Sequence, residues 1–342
     1  MYQLTLAGRE IDDIHRLLAQ ITGRFHSVED PEFLRDAPVL AHELPRRVRA
    51  FLNDFRVMEP SGVALISGLP VDQERIGRTP AHWRDRPEVS AALREEVFFL
   101  LCGTLLGDVF GWSTQQDGHL MHDVIPIKGD EKAQLGSGSE QLLWWHTEDA
   151  FHPFRGDYVA LMCLRNPDRV ETTVAMADRI PWHELDVERL FEPLYHIRPD
   201  ESHLPHDRAG LEVSPETEEL LAAAYQRMAE MNASPQKRPI LSGDRRAPYM
   251  CLDPYFMDVE QLEEPARGAM EGLMRAIDRT LEPVVLEPGE CCFIDNYRAV
   301  HGRNPFKARY DGNDRWLKRL CITRNLRASR EARLSSSDRI IF

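Results

Sequence analysis

No apolar run in this chain approaches the about 20 residues that a membrane-spanning helix requires, and the N-terminus lacks the basic-then-apolar pattern of a secretion leader. The expectation is a cytosolic protein. Basic residues are in deficit: 42 Lys and Arg stand against 56 Asp and Glu, a net charge of -14. That balance disfavours nucleic acid or an anionic membrane as the main partner and leaves a small molecule. The six cysteines (Cys102, Cys163, Cys251, Cys291, Cys292 and Cys321) show no CxxC spacing and sit mostly in apolar runs. They read as buried thiols, not as disulfides or zinc ligands. Internal repeats, low-complexity tracts and Gly/Ser linkers are also missing, so residues 1–342 are expected to form a single domain.

What is present falls into two textures. From Ile11 to Arg24 and from Ala41 to Phe55, after the acidic turn Glu29-Asp30-Pro31, apolar residues recur at helical spacing, and Pro80 to Leu106 is mostly helical again. One glycine-bounded strand, Gly62 to Pro70, interrupts this helical cap over 1–106. From 107 to 342 short apolar segments (Gln141–Trp145, Tyr158–Leu164, Thr172–Ala175, Cys291–Ile294, Leu317–Thr323) are divided by Gly, Pro and Asp clusters. This is the texture of a mainly-β sandwich or barrel, with helices inserted near 216–232 and 262–281. A jelly roll, or double-stranded β-helix, suits such a pattern, because its two sheets form a tapered apolar cavity closed by loops at one end.

With 13 His and 56 acidic residues in 342 positions, about two His-x-Asp/Glu pairs arise by chance. Only one occurs: His146-Thr147-Glu148. Positions i and i+2 of a strand share a face, so His146 and Glu148 would converge on one ion while Thr147 turns away. His301 follows the strand-like run Glu290–Asn296 and is a third candidate ligand. Two imidazoles and one carboxylate form the open ligand set of non-haem Fe(II) oxygenases. Either histidine alone would serve equally as a hydrogen-bonded core or turn residue.

Arg315 and Arg319 lie on one face of the segment Asp314–Thr323, together with Leu317 and Cys321. If that face lines the cavity, each guanidinium needs an anionic partner, for which a carboxylate is the natural match. If it faces water, the pair makes only surface salt bridges.

These segments, with Phe110–His119, His146–Pro153, Pro199–Pro205, Leu252–Phe256 and Ala299–Arg303, resemble Fe(II)/2-oxoglutarate oxygenases of the clavaminate synthase type. Within that family the chain is most similar to free L-arginine hydroxylases of the viomycin and streptothricin type of antibiotic biosynthesis. The resemblance spans nearly the whole chain and implies Fe(II), 2-oxoglutarate and O2, with succinate and CO2 as co-products. It further implies that His146, Glu148 and His301 hold the iron, while Arg315 and Thr173 bind 2-oxoglutarate. By the same resemblance Arg319, Gln115 and Glu148 receive the substrate's amino-acid end, and Asp253 its guanidinium. Asp200 and Ser202 would belong to a lid. One departure stands out, since related enzymes can carry a second aspartate where this chain has Tyr255.

Alternatives stay open at this level. The same iron chemistry could desaturate arginine, or act on enduracididine, lysine or ornithine. A non-catalytic jelly-roll protein with structural zinc would need a fourth ligand, and none stands out. Asp117, His119, His122 and Asp123 read as a loop or as residues behind the site, and the tryptophans read as core. A homo-oligomer is compatible with the sequence.

Overall fold

Eight successive residues, Tyr158–Arg165, are buried whichever way they point, so this strand must be covered on both faces. A computed structural model, describing residues 1–204 and 214–342, shows the two coverings. Pro205, which ends the stretch Pro199–Pro205, lies outside the described residues. The chain runs β1 (Tyr2–Thr5), α1 (Gly8–Thr22), α2 (Pro31–Leu40), α3 (Arg46–Met58), β2 (Val63–Ser67), α4 (Gln73–Ile76) and α5 (Leu93–Thr104). Next come β3 (Asp108–Trp112), β4 (His122–Val124), β5 (Leu143–His146), β6 (Tyr158–Arg165), β7 (Glu171–Met176), α6 (Val187–Leu190) and α7 (Pro215–Ala233). The rest is β8 (Leu241–Asp244), β9 (Ala247–Met250), α8 (Ala266–Thr280), β10 (Glu282–Val285), β11 (Cys291–Asp295), β12 (Ala299–Arg303), β13 (Trp316–Thr323) and β14 (Ile340–Ile341).

Two sheets carry the site. The larger has the order β1-β2-β11-β6-β13-β3-β14, with β4 also on β13, and the smaller has the order β10-β7-β12-β5. Val159, Leu161 and Cys163 of β6 meet Val174 and Met176 of β7 and Val284 of β10 in the core between them. The alternate residues Tyr158, Ala160 and Met162 pack outward against α1, α2, α3 and α5. On the far side Ala175 and Val300 of the smaller sheet pack against α7 and α8. The layers therefore run helix, sheet, sheet, helix. Among the described residues no helix is long and apolar enough to cross a membrane.

Three local expectations need correction. Asp30-Pro31 starts a helix instead of making a turn: the Asp30 carboxylate accepts the Glu32 and Phe33 amides at 2.7 and 3.2 Å, and Pro31 occupies the first helical position. Residues 80–92 are mostly irregular, with one short turn at Trp83–Asp85, since Pro80 and Pro87 prevent continuous helix. The first 106 residues also hold two strands, not one, because β1 pairs in parallel with β2.

On the helix-facing side of β13, buried Lys318 places Nζ 2.6 Å from Asp123 and 2.8 Å from Glu96. Removing the cation leaves buried Glu96 with the Ser90 hydroxyl but no cation, and leaves Asp123 with Arg86 as its only cation. Lys318→Met should lower unfolding free energy by about 3–5 kcal/mol, read from urea denaturation; a loss below about 1 kcal/mol would mean the carboxylates are neutral without it.

Candidate active site

Antiparallel pairing sets His301 of β12 directly opposite His146 of β5, and the side chains of such a pair project from one face. Their rings lie 4.6 Å apart. Glu148, just past the end of β5, brings Oε2 to 3.2 Å from His301 Nε2 and 3.8 Å from His146 Nε2. Ligands about 2.1 Å from an octahedral ion and at right angles to each other are separated by about 3 Å. The spacing fits one such ion. Only these three residues form this group among the described residues, so a closed tetrahedral zinc site lacks its fourth donor.

The donors are held by their surroundings. His146 Nδ1 donates to the Trp144 carbonyl at 2.8 Å, which leaves Nε2 for the ion. The amide of fully buried Asn296 accepts the Glu148 N–H at 2.6 Å and donates to the Glu148 carbonyl at 2.9 Å. Glycine is required at 302, because a Cβ there would lie 2.5 Å from the Leu143 carbonyl oxygen. Burial alone would raise the Glu148 pKa. Arg319 and the two histidines outweigh it and hold the carboxyl well below its ordinary value.

Beside this group lies an anion site. Arg315 Nη2 donates to the Thr172 hydroxyl at 3.1 Å, and burial lowers its pKa to about 10. Arg303 lies nearby, lowered to about 9 by burial and then by Arg315. Its guanidinium donates to the carbonyls of Gly138 and Gln141 at 2.5 and 3.1 Å. Neither arginine has a carboxylate partner among the described residues. Here the expectation for Thr173 is corrected. Thr172 shares the inward face of β7 with Val174 and Met176, whereas Thr173 points the other way, toward the outer side of Gly302.

Arg319 anchors a third group. It donates to Glu148, to Gln115 Oε1 at 2.7 Å and to His122 Nδ1 at 2.7 Å. His122 Nε2 lies 2.9 Å from the His119 carbonyl, so it carries the proton and Nδ1 accepts. Burial, followed by Arg319 and Arg86, keeps that ring neutral, with its pKa well below the usual value. Gln115 Nε2 donates to Ser202 Oγ at 2.6 Å, and Ser202 Oγ donates to Asp200 at 2.5 Å. His203 completes the junction, bonding Thr114 at 2.7 Å and Asp149 at 2.9 Å. Sequence reasoning missed His203, for which the motif offered no pairing signal, and gave Arg303 no role.

Asp253 lines the same pocket as Arg319. Burial raises its pKa to about 6, partly offset by His146, and no lysine or arginine among the described residues is paired with it. All three groups border one partly open pocket, as expected of a small-ligand site. Trp144 and Tyr255 also line it, so Trp144 is not a core residue.

Ion group, anion site and pocket together define a metal-dependent oxygenase arrangement, and the chain belongs to the taurine catabolism dioxygenase TauD, TfdA family, whose model matches residues 56–321. More specific likenesses cover whole chains. The protein is 52% identical to the L-ornithine/L-arginine 3-hydroxylase of Catenulispora acidiphila and 46% identical to the enduracididine beta-hydroxylase of Streptomyces hygroscopicus, each over 100% of both chains. It also matches the crystal structure of the non-haem iron oxygenase OrfP with Fe, succinate and (3S)-hydroxy-L-Arg, at TM-score 0.90 and 44% identity over 100% of both chains.

Two measurements test the geometry. His146→Ala and His301→Ala should each reduce bound Fe(II) to near zero in anaerobic dialysis followed by metal analysis. Arg315→Ala should raise the KM for 2-oxoglutarate by about two orders of magnitude, and Thr172→Val by about tenfold or less, with Thr173→Val nearly unchanged. The reverse order for the two threonines would overturn the inward orientation of Thr172 on β7.

Proposed function

We propose that this chain is one double-stranded β-helix oxygenase domain over residues 1–342, with an N-terminal helical cap, that hydroxylates free L-arginine at C3. In this reading His146, Glu148 and His301 hold Fe(II), and Arg315 with Thr172 holds the distal carboxylate of 2-oxoglutarate. The observation that carries it is the uncompensated buried charge. Arg315 and Arg303, both buried, lack a carboxylate partner at one place, and the partly buried Asp253 lacks a lysine or arginine partner at another. Isolated buried charges are costly, so ligands bearing the opposite signs complete the site.

Arg319 and Gln115 are suited to receive the substrate's α-carboxylate, with Glu148 and Gln115 near its amine and Asp253 at the guanidinium. Asp200 and Ser202 are suited to close over the bound molecule. Fixing both ends of an extended amino acid points one methylene at the metal site and limits other encounters. Bound Fe(II), with 2-oxoglutarate and O2, supplies the oxidation, in which one oxygen atom enters a substrate C–H bond and the other enters succinate as CO2 leaves. Attack at C3 is supported by the relatives named 3-hydroxylase and beta-hydroxylase and by the 3-hydroxyarginine complex. The same relatives support ornithine and enduracididine as second substrates.

The test is anaerobic reconstitution with Fe(II), 2-oxoglutarate and each amino acid, followed by O2 and mass analysis. Arginine should gain one oxygen atom in step with succinate. Loss of two hydrogens would instead mean desaturation, and absence of succinate would remove arginine as substrate. Asp253→Ala should raise the arginine KM by about 100-fold and leave that for 2-oxoglutarate within about twofold.

A further inference from the structure

Two large aromatic side chains stand where the pocket opens. Trp144 is 38% and Tyr255 48% exposed, and among the described residues the only other large aromatic this exposed is Tyr310. Their rings meet edge to face, with centroids 6.5 Å apart and an interplanar angle of 90°. Both border the pocket together with Asp253. A hydrophobic core would have buried them, and an ordinary surface would have left them apart.

Their placement is fixed from beneath. Trp144 lies on β5, where its carbonyl accepts the His146 Nδ1–H. Tyr255 lies on the short turn Pro254–Phe256 that begins at Asp253. Thr147 joins the two segments: its N–H and hydroxyl reach the Leu252 carbonyl at 2.9 and 3.1 Å, and the hydroxyl lies 3.1 Å from the Leu252 N–H. The rings and Asp253 are therefore held in register with the candidate metal ligands.

We propose that Trp144 and Tyr255 form an aromatic wall that makes this end of the pocket select a planar guanidinium over a primary ammonium; the inference rests on arginine being the substrate. A guanidinium is delocalised and weakly hydrated, and it stacks on aromatic faces while its in-plane N–H groups meet a carboxylate. An ammonium is a compact, strongly hydrated point charge with three donors. One carboxylate and two rings match the first cation and leave the second short of acceptors. Asp253 supplies attraction common to both, and the rings supply the difference between them.

The test is calorimetric binding of L-arginine, L-ornithine and L-citrulline to anaerobic protein loaded with Fe(II) and 2-oxoglutarate. Citrulline keeps the planar shape without the charge. Trp144→Ala and Tyr255→Ala should each weaken arginine binding by about 3- to 10-fold and change ornithine by less than about twofold, so that the preference narrows. Trp144→Phe and Tyr255→Phe, which retain a ring, should keep most of the arginine affinity, and citrulline should bind far more weakly than arginine to the wild type. Equal weakening of arginine and ornithine, no change in either, or citrulline binding as tightly as arginine would overturn the aromatic wall and leave the substrate reading standing. Failure of the unaltered protein to bind arginine would overturn both.

Discussion

The pairing of β12 with β5 and β7 is the constraint on which the rest depends. Because His301 sits opposite both His146 and Val174, one ladder sets the separation of two candidate metal donors and the inward face of the neighbouring strand. A slip of one residue would turn each of these side chains to the opposite side. Gly302 protects that register, since its lack of a side chain lets β12 and β5 approach closely. Asn296 extends the same control to Glu148, which has left the strand and would otherwise depend on a loop.

Charge is distributed so that the pocket's own groups are only partly balanced. The two terminal nitrogens of Arg319 are engaged by Glu148, Gln115 and His122 while its Nε has no partner, so the guanidinium is held in a set orientation before any ligand arrives. Arg315 and Asp253 are not satisfied in this way. Such an interior gives up folding stability at the very places where a bound molecule would restore it. The stabilising ion pairs lie behind the pocket, where Lys318 joins Asp123 and Glu96 on the side of β13 opposite Arg319.

Much of this was legible in the sequence wherever a local rule decided the outcome. The two-residue period put Arg315, which immediately precedes β13, on the same side as Leu317 and Arg319, and the spacing of His146 and Glu148 anticipated their convergence. Thr172 and Thr173 were harder, because both hydroxyls are acceptable on either face. Their orientation follows from Val174 and Met176, the larger apolar residues of the strand, facing the opposite sheet. Asp30-Pro31 was ambiguous for a different reason, since the same dipeptide can open a turn or a helix, and only the receiving amides of Glu32 and Phe33 distinguish them. The roles of His203 and Arg303 arise from contacts across long sequence separations, which no local pattern encodes.

The hydroxyl of Thr147 ties together two distant segments of the chain. By joining the segment of the candidate metal ligands to Leu252, it makes the span from those side chains to Asp253 a property of the backbone, like marks on a ruler. Amino acids of different reach cannot stretch that scale. A side chain of another reach, held at its α end, would keep the same carbon beside the candidate metal ligands and lose its contact at Asp253, so length would be read as affinity and not as a change of position.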